Sequence, residues 1–376
     1  MNPFTPGRAV DPQFFAGRKE ELERFRTFLK NTQEGNPMHL AILGERGIGK
    51  SSLLRMCESL ATADRCIVAR VDLDASIGSL GTLVETVLRH VTQEGEAYSK
   101  LFKVSEKVKR FFDAYKVSAG ALGFSLGVEK KGPTSLPVRT ELLRVWRAVR
   151  ESVPAIIVML DEAEQLEQIE GSLQFLRNVF SRLAEERTGF MLLLSWKLTL
   201  FRRIKEIHSP LARFFNPISL TEFSHKDSLE ALEKPLRAAG YHIAPEVKEL
   251  IARASEGHPY IIQVYGFYLC EKAPRRVIDR RVYDAALPVI MSGLTKQLFE
   301  DSYSTVSPQE QIVLKAMARE EASTLEFSTL VKGTGLPANK VGYLLNRLDD
   351  KDCVRKVARG QYRLFHGLFK EYLKKL

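Results

Sequence analysis

The first 220 residues alternate short apolar runs with amphipathic stretches. Apolar runs are typical of strands buried on both faces of a parallel sheet. Residues 155–160 form a continuous one, and residues 38–43, 66–71, 190–195 and 217–220 are largely apolar. The stretches between them carry apolar residues at helical spacing, as in 139–151 and 173–186. Strands that alternate with helices predict an α/β fold built on a parallel sheet.

Helix signals without strand signals follow this region. Ser224 and Asp227 form a capping-box pattern at the start of a helix, and Pro245 stands where a first-turn proline belongs. A third helix starts within GHPYIIQVYGFYL. Residues 221–304 are therefore predicted to form an all-helical lid subdomain after a core at 1–220.

The last part of the chain has a third pattern. Three helices are predicted there, with a GTGLP turn before the third, over residues 308–319, 327–332 and 338–348. Two short strands, CVRKVA and QYRLF, then flank Arg359-Gly360. Helices followed by a hairpin are typical of a winged helix, so residues 305–376 are predicted to form a winged-helix domain.

One stretch of the core does not fit the alternation. Residues 99–116 predict an amphipathic basic helix with Leu101, Val104, Val108, Phe111, Phe112 and Tyr115 on one face. The glycine-rich alternation in KVSAGALGFSLGVEKKGP predicts a β-hairpin. This insertion, at about 99–131, suits a second nucleic-acid contact, an oligomer contact, or a decoration with no partner.

Charge is uneven along the chain, whose formal net charge is +10. Residues 100–150 hold twelve basic and four acidic side chains, and residues 307–376 hold thirteen basic and eight acidic ones. A basic excess permits nucleic-acid binding without demonstrating it, since a solvated basic face has the same composition.

The sequence argues against several other function classes. No run of 18 apolar residues occurs, so no membrane span or membrane partner is expected. The N-terminus lacks a signal-peptide core. The four cysteines are scattered, which favours inert thiols in a reducing cytoplasm. The seven histidines show no metal-ligand spacing.

The stretch GERGIGKS carries the strongest chemical signal. Gly44, Gly49, Lys50 and Ser51 meet the pattern G-x-x-x-x-G-K-[ST], between a predicted strand and a predicted helix. Glycines let backbone N–H groups surround phosphate oxygens, and the helix N-terminus favours anions. Lys50 is predicted to reach the β- and γ-phosphates and Ser51 to hold Mg²⁺. A glycine-rich turn without a ligand is the plainer alternative.

A matching carboxylate pair follows the buried run 155–160. Asp161 leaves this strand although a buried charge is costly without a partner. It is therefore predicted as a second Mg²⁺ ligand, usually through water. Glu162 is placed to orient or deprotonate an attacking water. Together with the glycine-rich loop, the pair indicates a P-loop NTPase that binds a nucleoside triphosphate with Mg²⁺ and hydrolyses it.

Five stretches in order carry a family resemblance: FAGRKEELERF, GERGIGKSSLL, IIVMLDEAEQL, PLARFFNPISL and GHPYIIQVYGFYL. With the trailing winged helix, they resemble archaeal-type ATPases of the AAA+/STAND group, relatives of the origin-recognition initiator ATPases. The resemblance covers nearly the whole chain. It implies nucleotide contacts from Gly17, Arg18, Gly44, Glu45, Arg46, Gly47, Ile48, Gly49, Lys50, Ser51, Ser52 and Pro259.

The resemblance also implies catalytic roles beyond Lys50 and Glu162. Arg213 matches the family's arginine finger or phosphate sensor, although a solvated surface arginine is the alternative. Ser195 occupies a sensor position where initiators often carry asparagine. Serine positions water less well, and no lid arginine matches a second sensor, which favours a slow switch over a motor. An ATP-dependent homo-oligomer is compatible with this group.

Two functions compete for the winged helix. In the first, the chain is a DNA-associated ATPase that contacts double-stranded DNA through residues of the recognition helix and the wing: Asn339, Lys340, Tyr343, Asn346, Arg347, Arg355, Lys356, Arg359 and Arg363. In the second, the winged helix contacts protein and the chain is a signalling NTPase. A metabolic P-loop kinase is the third class, and it needs neither a winged helix nor the Asp-Glu pair.

Overall fold

The computed structural model describes residues 2–102, 104, 106, 108–112, 135–207 and 209–376. Within these residues the chain divides into two compact units. The sheet unit comprises 18–44 and 50–220, and the helical unit comprises 1–17, 45–49 and 221–376. In the described part of the chain, no helix is both long and apolar enough to cross a membrane.

A parallel sheet forms the centre of the sheet unit, as predicted. Among the described residues it has five strands in the order β2-β3-β4-β1-β5. The strands are β1 (His39–Leu43), β2 (Ile67–Asp72), β3 (Ile156–Asp161), β4 (Phe190–Trp196) and β5 (Phe215–Ser219). Every residue of β1, β3 and β4 is buried, which explains why these strands are continuous apolar runs.

Helices connect and cover these strands. They are α1 (Lys19–Gln33), α2 (Lys50–Ala63), α3 (Leu80–Leu101), α4 (Ser135–Val149), α5 (Ser172–Glu185), α6 (Leu198–Ile207) and α7 (Ser209–Phe214). The apolar faces of α3 to α7 join the strands in one hydrophobic core, and α1 and α2 bury apolar residues outside that cluster. The parallel α/β fold of a P-loop NTPase predicted from the sequence is therefore confirmed.

The prediction that a helix begins at residue 99 is wrong. Residues 99–101 end α3, which begins after the Ser79 cap and has 22 residues. Phe102 is extended, and Leu101 is 78% exposed rather than on the apolar face. Val108 and Phe112 are buried as predicted, with the Phe112 ring packed over Gly95. The predicted hairpin after residue 116 lies outside the described residues.

Five helices form the first part of the helical unit after residue 220. They are α8 (His225–Ala238), α9 (Pro245–Ala254), α10 (Pro259–Lys272), α11 (Arg280–Leu294) and α12 (Glu300–Ser304). The predicted all-helical character needs one correction. Short strands β6 (His242–Ile243) and β7 (Val277–Ile278) pair in parallel, because backbone groups between the helices satisfy each other there.

The C-terminal part of the helical unit has the predicted order of helices followed by a hairpin. Its elements are α13 (Pro308–Arg319), β8 (Thr324–Glu326), α14 (Phe327–Thr334), α15 (Ala338–Asp350), β9 (Val354–Ala358), β10 (Gln361–Leu364) and α16 (Gly367–Lys374). The strands form an antiparallel sheet in the order β8-β10-β9. Strand β8 and helix α16 were not predicted from the sequence.

A buried carboxylate fixes the start of α13. Ser307 and Glu310 form a reciprocal capping box, and the fully buried Glu310 carboxylate also pairs with Arg347 at 2.8 Å and Lys351 at 2.7 Å. Burial alone would raise the pKa of Glu310, but hydrogen bonds from Lys351 and Ser307 outweigh it and hold the pKa at about 2. The ionised form therefore stabilises the fold.

We expect Glu310→Gln to lower the free energy of unfolding at pH 7 by about 2 kcal/mol, because charge-assisted hydrogen bonds are lost. The folded pKa lies below its ordinary value, so the wild type should lose this contribution as pH falls from about 4.5 towards 2, whereas the variant should not. Urea unfolding across this pH range measures both effects. The exposed Glu321→Gln is the control, and equal losses in both variants would contradict the assignment.

Candidate functional site

The loop between β1 and α2 has the backbone of a phosphate-binding turn. Gly47 and Gly49 have φ angles of +75° and +98°, which non-glycine residues rarely adopt. A Cβ on Gly49 would meet no atom within 4 Å, so the space beside this glycine is open. Ser51 and Ser52 lie in the first turn of α2, which begins at Lys50.

Within the sheet unit, hydrogen bonds hold the two ends of this loop. The Gly44 N–H donates to the Trp196 carbonyl at 3.2 Å, and the Lys50 ammonium donates to the Gly44 carbonyl at 3.0 Å. A backbone carbonyl is a neutral acceptor, and a phosphate oxygen is a stronger one. A phosphate oxygen would therefore be a better acceptor for the Lys50 ammonium than the Gly44 carbonyl.

The carboxylate of Asp161 is buried at the carboxyl end of β3 and receives three hydrogen bonds. Arg70 donates to Oδ2 at 2.9 Å, the Glu162 N–H donates to Oδ1 at 3.1 Å, and the Ser195 hydroxyl also donates to Oδ1. These donors compensate the cost of burying the charge.

Ser195 links both acidic residues of β3. Its fully buried hydroxyl lies at the end of β4, donates to Asp161 and accepts from the Glu162 N–H at 3.2 Å. The structure therefore brings Ser195 to the carboxylate pair, where the resemblance had placed a sensor. The hydrogen of its hydroxyl is therefore already used in the bond to Asp161.

Glu162 has a different environment from Asp161. Its backbone is left-handed, with φ of 55°, and its side chain is exposed. Desolvation, and then the charges of Glu164, Asp161 and Asp72, raise the pKa of Glu162, while Lys50 lowers it. A raised pKa makes this carboxylate a better proton acceptor than an ordinary glutamate.

Arg70 belongs to the site although sequence reasoning missed it. This β2 residue is 20% exposed and contacts Asp72 at 3.0 Å and Glu58 at 3.6 Å, besides Asp161. A signal was present in the sequence, because Arg70 is a charged residue inside the otherwise apolar run CIVARV. A buried guanidinium there requires nearby carboxylates.

The middle of the glycine-rich loop belongs to the helical unit. Glu45 forms an ion pair with Arg355, and Arg46 forms one with Asp301. A Cβ on Gly47 would lie 2.9 Å from the His258 ring. Ile48 is buried. These contacts surround the loop with residues from three later parts of the chain.

Other predicted nucleotide contacts are spread over both units. Gly17, in the helical unit, has φ of +67° and lies against Phe223. Arg18, in the sheet unit, is 8% exposed and pairs with Glu21 at 3.4 Å. Pro259 is the first residue of α10. Their nucleotide contacts stay predictions, as does the role of Arg213, which is exposed at the end of α7.

His258 was missed by sequence reasoning, which singled out only its neighbour Pro259. It is fully enclosed beside Gly47, and burial, followed by the nearby His366, lowers its pKa to about 3. His258 is therefore neutral at physiological pH. The structure shows the close packing around GHP: Gly257 has a positive φ, and the chain there lies against Phe223.

The predicted nucleic-acid residues fall into two groups. Asn339, Lys356 and Arg359 are exposed, and Lys340 is half-buried near the start of α15. Arg347 is half-exposed but pairs with the buried Glu310, so part of its charge is used inside the protein.

Arg355 requires a correction to the sequence-based assignment. Its side chain is 11% exposed and forms ion pairs with Glu45 and Glu222. The physical reason is the position of β9, which turns Arg355 towards these two carboxylates. We therefore leave Arg355 out of the proposed nucleic-acid surface.

The residues present fit a nucleoside triphosphate with Mg²⁺. Within the sheet unit, Lys50 and the start of α2 follow the loop, and β3 supplies Asp161. In the described part of the chain, no group of three or more His, Cys, Asp and Glu side chains is arranged to hold a metal. Ser51 and Asp161 would therefore hold Mg²⁺ only together with phosphate oxygens.

Comparisons with known proteins agree with this geometry. Residues 15–194 match the family model of the AAA ATPase domain. Over 316 residues the chain is 24% identical to an uncharacterized HTH-type transcriptional regulator, MJ0774, of Methanocaldococcus jannaschii, covering 78% of this chain and 69% of that protein.

Two solved structures share the fold over nearly the full length. One is the Walker-type ATPase PABY2304 of Pyrococcus abyssi, with a TM-score of 0.67, 21% identity and 96% of each chain covered. The other is the ORC2 protein of Aeropyrum pernix in ADPNP–ADP complexes, with a TM-score of 0.64, 15% identity, and 99% of this chain and 98% of that chain covered. At these identities the likeness establishes the fold.

We expect Gly257→Ala to destabilise the helical unit more than Gly335→Ala. Both glycines have positive φ, of 75° and 66°, so each alanine costs about 1 kcal/mol of backbone strain. Only at Gly257 would the new Cβ clash, at 2.3 Å from the Phe223 carbonyl, adding about 2 kcal/mol. Chemical unfolding measures the difference, and equal losses would show that the backbone around GHP is not closely packed.

Proposed function

We propose that this chain binds ATP with Mg²⁺ and hydrolyses it slowly, as a nucleotide-dependent switch. The observation that supports this most is the pairing of a glycine-rich loop ending in Lys50 and Ser51 with the buried Asp161 and exposed Glu162 at the end of β3. The match of residues 15–194 to the AAA ATPase domain supports the same activity.

Each residue has a role that follows from its environment. Lys50 exchanges the Gly44 carbonyl for a phosphate oxygen and neutralises its charge. The bound Mg²⁺ would supply charge neutralisation on the phosphates, held by Ser51 and Asp161. Glu162, with its raised pKa, orients a water molecule and accepts its proton. Arg70 and Ser195 hold the Asp161 carboxylate in place through hydrogen bonds.

The proposed slowness also has a structural argument. Ser195 uses its hydroxyl hydrogen for Asp161 and accepts from the Glu162 backbone. This leaves it little capacity to hold a water molecule at the γ-phosphate. A hydroxyl that donates to Asp161 has no hydrogen left to donate to a water molecule.

We expect Lys50→Ala and Glu162→Gln to separate binding from hydrolysis. Lys50→Ala removes the phosphate-facing charge and should abolish nucleotide binding. Glu162→Gln keeps the side-chain shape but removes the proton acceptor, so ATP should bind normally while turnover falls about 100-fold. A fluorescent ATP analogue measures binding and phosphate release measures turnover.

The exposed Glu170→Gln controls for the loss of one negative charge near this edge. Normal ATP affinity in Lys50→Ala would refute the whole site. Unchanged turnover in Glu162→Gln would remove Glu162 from the mechanism while leaving the binding site in place.

We further propose that the switch associates with double-stranded DNA through the hairpin and α15. The supporting observation is that Lys356 and Arg359 are exposed on the hairpin while Asn339 is exposed at the start of α15. The methanogen relative is described as an HTH-type regulator, which fits a DNA partner. A winged helix that contacts a protein partner is the alternative, because a fold alone does not define a ligand.

DNA association has a salt signature. If ~6 phosphates are neutralised, the plot of log K against log salt should have a slope near −5. The double variant Lys356→Ala/Arg359→Ala should reduce that slope by about 2, because two phosphate contacts disappear. Fluorescence anisotropy of a labelled random duplex, with ATP and with ADP, measures both slopes.

A charge-matched control is Lys226→Ala/Arg237→Ala, which removes two exposed basic side chains from α8. Equal slopes in both double variants would exclude the hairpin from the contact. Absence of binding by the wild type with either nucleotide would favour the protein-partner alternative.

A further inference from the structure

Arg355 of the hairpin belongs to a cluster of four charged side chains within the helical unit. It forms ion pairs with Glu45 and with Glu222. Arg363, its cross-strand neighbour on β10, pairs with Glu222 at 3.3 Å. We refer to Glu45, Glu222, Arg355 and Arg363 as the Arg355 cluster. Two positive and two negative charges make the cluster neutral.

The cluster contains one residue from the glycine-rich loop and two from the hairpin. Glu45 directly follows Gly44 in the stretch GERGIGKS. Lys356, the residue after Arg355, is exposed, and so is Arg359 near the hairpin tip. The hairpin therefore uses one side chain to hold the loop and presents other basic side chains to solvent.

Burial makes each member of the Glu45–Arg355 pair depend on the other. Arg355 and Glu45 are only 11% and 25% exposed. Burial raises the pKa of Glu45, and the charge of Arg355 offsets only part of this. Burial also lowers the pKa of Arg355, and the charge of Glu45 offsets only part of that. Removing one member leaves the other charge partly buried without its partner, which is unfavourable. The position of Glu45 therefore depends on the hairpin being in place.

The other described contacts of the loop are an exposed ion pair and a steric contact. The Arg46–Asp301 pair is exposed by half or more on both sides, and water and salt screen such pairs. The contact of Gly47 with His258 is steric and involves α10 rather than the hairpin. Among the described contacts, the Glu45–Arg355 pair is the ionic link from the loop to the hairpin.

We propose that the Glu45–Arg355 ion pair couples the glycine-rich loop to the hairpin, so that Arg355 is a positioning residue for nucleotide binding. This rests on the proposed function in that the loop binds the nucleotide. A nucleotide that shifts Glu45 changes the partner available to Arg355, and hence the stability of the hairpin. By linkage, a ligand on the hairpin changes nucleotide affinity by the same factor.

A double-mutant cycle on the full chain tests this coupling. A fluorescent ADP analogue is titrated into the wild type, Glu45→Gln, Arg355→Gln and the double variant, with Val357→Ala at an exposed position as the control on the same hairpin. We expect each single variant to change affinity about fivefold or more. The double variant should resemble either single variant, because both remove the same interaction.

Arg355→Lys distinguishes positioning from general stability, since it keeps the charge and should restore most of the affinity. Single-variant effects that multiply in the double variant, or a Val357→Ala effect as large as that of Arg355→Gln, would overturn the proposal. So would affinities that stay at the wild-type value in both single variants.

Hydrogen exchange of residues 354–364 separates this proposal from the proposed function. In the wild type, ADP should change exchange in the hairpin, and Glu45→Gln should abolish that change. If the wild type binds no nucleotide, the proposed function fails, and the inference then requires faster hairpin exchange in Glu45→Gln without ligand. Exchange that is identical in Glu45→Gln and the wild type would overturn the inference.

Discussion

The geometry of the candidate site depends on how the buried carboxylate of Asp161 is compensated. A charge at the end of a fully buried strand is unfavourable unless donors surround it. Arg70 from β2, Ser195 from β4 and the Glu162 N–H provide them. The two side-chain donors come from the strands on either side of β3, so the parallel order β2-β3-β4 is what brings them to Asp161.

The same compensation explains why the two acidic residues of β3 differ. Asp161 is buried and receives three hydrogen bonds, whereas Glu162 is exposed and has a raised pKa. The backbone change from extended to left-handed at Glu162 turns its side chain away from the strand. One residue is therefore suited to hold a cation and its neighbour to accept a proton.

Much of the sheet unit follows directly from the sequence. Strands buried on both faces leave continuous apolar runs, and the glycine-rich loop leaves a spacing that few other structures need. Long-range pairs leave no such pattern. Arg70 and Asp161 lie 91 positions apart, and neither residue identifies the other. Arg70 became part of the site only when the strand order was known.

The errors in the sequence reading have physical reasons as well. Residues 99–101 have helical spacing, but the helix to which they belong begins 19 residues earlier at Leu80, and its polar positions obscured that start. Arg355 stands among basic residues, and composition alone cannot tell an ion-paired arginine from a solvated one. His258 was hidden by its proline neighbour, because sequence gives no account of enclosure.

The most direct measurement is the response of nucleotide affinity to Mg²⁺ in the wild type and in Asp161→Asn. Calorimetric titration of ATP at increasing Mg²⁺ concentration measures this response. If Asp161 and Ser51 share the cation with the phosphates, the wild-type affinity should rise with Mg²⁺ and the variant should respond about tenfold less. An equal response in a folded Asp161→Asn would contradict the placement of the cation at the end of β3.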